Sequence, residues 1–340
     1  MNAAKKKVWI LIIAGLAVLA VSWFGWYSYE LYQERLAVAE RGVGEYIFVD
    51  NTSTENDLIS FQGKQYERNP SVKAYLLIGV DTEGEMEQRV TGDGGQADGL
   101  FLVAYDAAGG SVKILMIPRD TMTPITLTDL SGNVLGKDIQ HITLAYGYGD
   151  GRELSCERTA EAVSELLGGL KIDGYLAMNT SLIPELNDLT GGVTVHIETD
   201  ELEGRDPKLA KGKDITLLGE QAETFIRYRD IEIDHSALTR MARQQQYIEA
   251  YFRAVRQQTA KDDQTIVRLM NMIEEHMITD LSKDQYLNIG KAILYGEETF
   301  GPNDILTIPG EGVVTDYFDE YHHDPEGTRQ MVLDLFYREK

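Results

Sequence analysis

Three short apolar runs constrain this chain most: AYLLIGV (74–80), GLFLVAYD (99–106) and VKILMIP (112–118). Each is bounded by Gly, Asp or Pro, so each reads as a buried strand. Gly109-Gly110 between the last two predicts a hairpin-like connection. Further on, Ala160, Val163, Leu166 and Leu167 recur at helical spacing, with Ser155 as a plausible N-cap. YLAMN (175–179) reads as a strand, 181–189 as a short helix and 193–197 as another strand. TFIRYRD (224–230) is read as a further strand, followed by a long helix over 238–255. Strands alternating with helices predict an α/β fold, a three-layer sandwich whose central mixed sheet is covered by helices. After residue 260 the periodicity is helical over 264–277 and 283–294, strand-like at 305–308 and helical again over 328–337.

The N-terminus predicts an address. Lys5, Lys6 and Lys7 precede residues 8–27, a stretch with no charged side chain. At 1.5 Å rise, about 20 such residues span roughly 30 Å, the thickness of a bilayer's hydrocarbon core. Trp23, Trp26, Tyr27 and Tyr29 cluster at the far end, where amphipathic rings favour the headgroup layer. The lysines stay in the cytoplasm, so the rest of the chain lies outside. A cleaved signal peptide is the competing reading. Val18-Leu19-Ala20 is a weak small-residue site and the apolar run continues past it, which favours an uncleaved anchor. The expected organisation is a tip and transmembrane anchor (1–29), a stem (30–72), a catalytic domain (73–257) and a mostly helical extension (258–340).

Charge narrows the function classes. The 32 Lys and Arg face 55 Asp and Glu among 340 residues, a formal net charge of −23. Such a surface repels nucleic-acid phosphate, and an anionic substrate needs a local arginine cluster that overrides the global field. Cys156 is the one cysteine, so intrachain disulfides and multi-cysteine metal sites are excluded. The chain has no P-loop, dinucleotide fingerprint or G-x-S-x-G elbow.

Three segments carry candidate chemistry. In Ile117-Pro118-Arg119-Asp120-Thr121, the proline ends ladder pairing and leaves a charged pair at a strand end, where α/β sheets bind ligands. The same pair at a turn also fits a surface salt bridge. Asp98, in Gln96-Ala97-Asp98-Gly99, fits a metal ligand or a turn residue. Arg227 and Arg229, two apart in a strand, project from one face, and Arg240, Arg243 and Gln244 share a helix face. Guanidinium forks at that density suit a pyrophosphate. A solvated helix face paired with Glu223, Asp230 and Glu249 fits the same spacing.

Taken in order behind one N-terminal anchor, LLIGVD (76–81), QADGLFLV (96–103), ILMIPRDT (114–121), LAYGYGDG (144–151), LTGGVTV (189–195) and FIRYRD followed by RMARQQQYI resemble the LytR-CpsA-Psr family. The resemblance covers about residues 73–257. It implies an enzyme that attaches teichoic acids, capsules or related glycopolymers to peptidoglycan from a polyprenyl-pyrophosphate carrier, with Mg²⁺ as cofactor. By the resemblance, Asp98 is a Mg²⁺ ligand. Arg119 and Asp120 contact pyrophosphate and, for the aspartate, metal or acceptor. Arg227, Arg229, Arg240, Arg243 and Gln244 bind pyrophosphate, and Asp81 is an acidic position near the site. Five positions depart from the family pattern: Gln96-Ala97 stands for Arg-Ser, His141 and Thr143 stand for Lys and Asn, and Ala237 stands for an aspartate. Two other functions fit the same resemblance, a polyprenyl-pyrophosphate phosphatase and a non-catalytic regulator under the family's older label of transcriptional attenuator. The expected partners are the lipid-linked glycopolymer, peptidoglycan and the cytoplasmic membrane, with no nucleic acid.

Overall fold

The computed structural model describes residues 58–82, 84–230, 236–296, 300–315 and 318–340. The expected anchor at 8–27 and the short apolar stretch 46–49 lie outside them. Among the described residues no helix is long and apolar enough to cross a membrane.

Six strands form the central sheet: β1 (Val72–Val80), β2 (Ala97–Asp106), β3 (Val112–Ile117), β4 (Gly174–Asn179), β5 (Met277–Thr279) and β6 (Ile305–Thr307). Their spatial order is β5-β4-β1-β2-β3-β6. The β1/β2 and β2/β3 pairs are antiparallel, the second joined by the hairpin that Gly109-Gly110 predicts, whereas β4/β1 and β3/β6 are parallel. The sheet is therefore mixed. The α-helices among the described residues are α1 (Glu153–Leu166), α2 (Ile183–Leu189), α3 (Glu220–Arg227), α4 (Ser236–Lys261), α5 (Gln264–His276), α6 (Lys283–Tyr295) and α7 (Pro325–Phe336).

The period of two along β1 decides how these layers stack. Leu76, Ile78 and Val80 point to one face, where they join Cys156 and Val163 of α1 and Phe336 of α7. Tyr75 and Leu77 point to the other, where they meet Ile289 and Ile293 of α6 and Phe252 of α4. Both faces of the sheet are thus covered by helices, which is why its strands read as continuous apolar runs. A third cluster lies between α3, α4 and the ribbon Val193–His196 with Asp214–Leu217. Asn187 is fully buried there and fully used: it donates to the Leu217 carbonyl at 2.9 Å and accepts from the Tyr247 hydroxyl at 3.0 Å.

Three expectations change. Residues 224–230 are not a strand. Glu220, Glu223 and the buried pair Ala222 and Phe225 build α3, which stops at Arg227 as Tyr228 turns extended. Carboxylates in a first turn suit the helix dipole, and burial at i and i+3 fixes the face. Ser155 is not the N-cap of α1, which begins two residues earlier. Asp150 does that work, accepting from the Arg152 and Ser155 amides, while the Ser155 hydroxyl accepts from the Gly151 amide. Finally, the stretch after residue 257 supplies β5 and β6, both edges of the central sheet, and all described residues fall in one compact unit. The last part of the expected stem, 58–72, likewise pairs two strands, Leu58–Phe61 and Lys64–Arg68, the second of which pairs with Tyr337–Glu339.

Candidate functional site

Antiparallel pairing of β2 with β3 brings the start of one strand to the end of the other, Leu100 opposite Ile117. Asp98 and the Arg119-Asp120 pair therefore meet at the same sheet end. Gly95, at φ +86°, makes the turn into β2, and a Cβ there would collide with Thr82. Pro118 ends β3, and the turn after it is pinned on both sides. The Thr121 amide and hydroxyl both donate to the Pro118 carbonyl, the latter at 2.6 Å. The Thr143 amide donates to the Arg119 carbonyl at 3.1 Å, and the Tyr321 amide to the Asp120 carbonyl at 2.8 Å.

The side chains then converge. Arg119 Nη1 donates to Asp98, Nη2 donates to Gln96 at 2.7 Å, and Nε lies 3.4 Å from Asp120. Arg229 Nη1 lies 3.5 Å from Asp120 and 3.7 Å from Asp319. Arg227, the last residue of α3, donates to Asp81 and, at 2.6 Å, to Glu223. Arg240 is buried, and its Nε has no hydrogen-bond partner. Asp120 is 12% exposed, so the pair at the turn is not a surface salt bridge.

These groups share one field. Burial raises the Asp98 carboxyl above its ordinary pKa, with Arg119 opposing and Asp81 reinforcing the rise. Burial lowers Arg240, and the neighbouring Arg119 lowers it further, against the attraction of Asp98 and Asp120. A buried cation with a bare donor, pressed against another cation, is a prepared seat for an anion.

Asp98, Arg119, Asp120, Arg240 and Gln244 line one narrow cleft together with Leu100, Phe101 and Met116. Arg229 reaches the cleft's Asp120 from the side, and Arg227 pairs with Asp81, which is no part of the lining. The structure does not bring Arg243 to the cleft. Its Nη1 donates to the Phe225 carbonyl at 2.6 Å, Nη2 donates to the Tyr228 carbonyl, and Glu201 lies 3.4 Å away. Arg243 thus ties down the end of α3. Gln244 both lines the cleft and donates to the Ile226 carbonyl at 3.4 Å.

The departures have local settings. Gln96 offers Arg119 an acceptor that an arginine there would lack, and the Thr143 hydroxyl donates to the Ala97 carbonyl at 3.0 Å. His141 meets the Phe318 ring edge-on at 5.8 Å, and burial lowers its pKa against Asp120 and Glu320. Ala237 stands in the first turn of α4. One wall went unread in the sequence. The hairpin Gly310–Val314 with Asp319–His323 contributes Gly312, Val313, Asp319, Glu320 and Tyr321 to the cleft.

Among the described residues no group of three or more His, Cys, Asp or Glu side chains is placed to hold a metal by itself. Asp98 and Asp120, both hard oxygen donors bound to Arg119, suit Mg²⁺ in the manner of sites that complete their shell with substrate phosphate and water.

The helix-covered mixed sheet places the protein in the α/β class, with arginines and two carboxylates gathered at one strand end. Within it, the chain belongs to the LytR_cpsA_psr family, whose model matches residues 46–332. It is 26% identical over 330 residues to the polyisoprenyl-teichoic acid–peptidoglycan teichoic acid transferase TagU of Bacillus cereus, covering 96% of this chain and 95% of that one. It is also 26% identical over 261 residues to the transferase TagT of Bacillus subtilis, 72% of this chain and 70% of that one. Among solved structures, B. subtilis TagV superposes with a TM-score of 0.56 at 20% identity, over 78% of this chain and 97% of that chain. TagT bound to LI-WTA superposes at 0.55 and 19% identity, over 78% and 90%. These likenesses establish the fold.

Proposed function

We propose that this protein transfers a glycopolymer from a polyprenyl-pyrophosphate carrier to peptidoglycan. The observation that carries the reading is the meeting of Arg119, Arg229 and Arg240 with Asp98 and Asp120 at one sheet end, in a family whose named relatives transfer teichoic acid to peptidoglycan. In the free protein the acids occupy two of the three cations. A pyrophosphate is the competing anion, and it releases the carboxylates as it takes the guanidinium groups.

The reaction is phosphotransfer. An acceptor hydroxyl on the wall attacks the sugar-linked phosphorus, and its proton passes to Asp98 or Asp120. A phosphodiester forms between glycan and wall, the bond to the bridging oxygen breaks, and polyprenyl phosphate leaves. The arginines hold the pyrophosphate oxygens and stabilise the charge that grows on the leaving phosphate. Asp98 and Asp120 are the residues that would hold Mg²⁺, which when bound offsets further negative charge on the diphosphate. Residues 8–27 anchor the protein in the cytoplasmic membrane, N-terminus inside, so that the cleft faces the lipid carrier and the wall from outside.

The test is to incubate the full-length protein in detergent with lipid-linked glycopolymer, Mg²⁺ and peptidoglycan. The expected result is wall-bound polymer, lost in Arg229→Ala. Soluble glycan phosphate without wall-bound product would make the protein a phosphatase, and wall product undiminished in Arg229→Ala would remove the site.

A further inference from the structure

We propose that Glu201 and Arg243 are a positioning pair that aims Arg227 and Arg229 at the diphosphate. The proposal rests on the pyrophosphate reading of the cleft and assigns a role to two residues that line no part of it.

Arg227 and Arg229 sit where a short helix ends and the chain turns extended, at Tyr228. The last carbonyls of any helix lack intrahelical partners, and a two-arginine segment on such an end has no rigidity of its own. Here five contacts fix it. Arg243 donates one fork nitrogen to the Phe225 carbonyl at 2.6 Å and the other to the Tyr228 carbonyl. Gln244 reaches the Ile226 carbonyl. Glu201 accepts from the Asp230 amide at 3.2 Å, and the Arg205 guanidinium lies 4.6 Å over the Tyr228 ring. The two clamps are joined through the Glu201–Arg243 ion pair, whose side chains are 6% and 8% exposed.

The turn that carries Glu201 and Arg205 is itself locked, because Leu202 and Leu209 are fully buried against α3 and α4. Clamped at residues 225, 226, 228 and 230, the segment leaves Arg227 and Arg229 to point outward to Asp81 and Asp120. Lysine cannot replace Arg243, because one ammonium cannot serve two carbonyls in fork geometry. Glutamine at 201 can still accept from the Asp230 amide but leaves Arg243 buried beside a neutral group.

A mutant cycle on the full-length protein decides this, read by calorimetric affinity for inorganic pyrophosphate and by kcat and KM for the lipid-linked donor. Arg243→Lys should weaken pyrophosphate binding about tenfold, the equivalent of one charge-assisted contact loosened. In a background with both Arg227→Ala and Arg229→Ala the same change should cost less than about twofold, since its effect travels through those two side chains. Glu201→Gln, the milder variant, should show the same non-additivity if Arg243→Lys does not fold. An equal loss in both backgrounds means that Arg243 touches the anion or acts only on stability, and it overturns the proposal, as does an unchanged affinity in the parent background. Arg119→Ala separates the two levels: if it too leaves pyrophosphate affinity unchanged, the cleft reading itself fails and the positioning role with it.

Discussion

Replacing Arg119 by methionine keeps an unbranched apolar stem and deletes the guanidinium with its charge. The structure sets the expected size of the effect. Arg119 bonds Asp98 and Gln96 and lies 3.4 Å from Asp120. At an effective dielectric near 20, charges at that separation attract by about 5 kcal/mol, before the cost of burial is returned. Both side chains of the Arg119–Asp98 pair are mostly covered, at 22% and 15% exposure. Breaking a buried pair costs about 3–5 kcal/mol, and partial exposure brings the expected loss of stability to about 2–3 kcal/mol. Catalysis loses a preorganised cation as well, about 3 kcal/mol or roughly 10²-fold in kcat. The two losses separate when Asp98→Asn is added. The double variant no longer buries an unpaired carboxylate, so about 1–2 kcal/mol of stability returns while the rate stays low. Urea unfolding and transfer of lipid-linked polymer to peptidoglycan are the two assays. If Arg119→Met loses the stability yet keeps kcat within about threefold, Arg119 is a brace for the turn and the reasoning about charge fails.

Other expectations follow from burial and charge. Burial raises Asp98 and Arg119 opposes the rise, so the acid limb of kcat/KM should lie above the ordinary carboxylate range and move higher still in Arg119→Met; a limb unmoved by that change would mean that another group titrates. Because the folded pKa of Asp98 is the higher one, its contribution to stability is present below the ordinary carboxylate pKa and is lost as pH rises through the shifted value. Asp98→Asn should flatten that part of a stability–pH curve measured by urea unfolding. Phe225→Ala empties a fully buried site between α3 and α4 and should cost about 3–5 kcal/mol in urea unfolding; a loss under about 1 kcal/mol would mean that α3 is not packed as described. Burial pushes the Cys156 thiol well above its ordinary pKa, so native protein should resist iodoacetamide while unfolded protein reacts fully, and rapid native labelling would contradict its place against β1.

Much of this was written in the chain. The runs that became β1, β2 and β3 are buried on both faces, and that state leaves an unmistakable apolar signature in sequence. Asp98, Arg119 and Asp120 were legible because strand ends bounded by Gly and Pro are where backbone pairing stops and side chains become free for chemistry. The segment 224–230 misled because Phe225, Arg227 and Arg229 alternate, while the residue that reveals the helical face, Ala222, lies just outside that window. Arg243 misled for a geometric reason. It is three residues from Arg240 and one from Gln244, but successive helical residues turn by about 100°, so Arg243 faces α3 while Gln244 reaches the cleft. The hairpin that brings Asp319 and Tyr321 over Asp120 left no local signal at all, since its contact with the turn is purely tertiary. The two edges of the central sheet differ: 305–308 read as strand-like and became β6, whereas β5, three residues at the end of a helical stretch, is too short to show a period of its own.

The central claim is that a sugar-linked phosphorus is moved intact from lipid to wall. Labelling only the phosphate next to the sugar in the lipid-linked donor tests it directly. The label should arrive in peptidoglycan in a phosphodiester, one equivalent for each polyprenyl phosphate released, and should not arrive in Arg240→Ala. Label that is set free as soluble phosphate, or that stays on the lipid while glycan reaches the wall, would contradict the account.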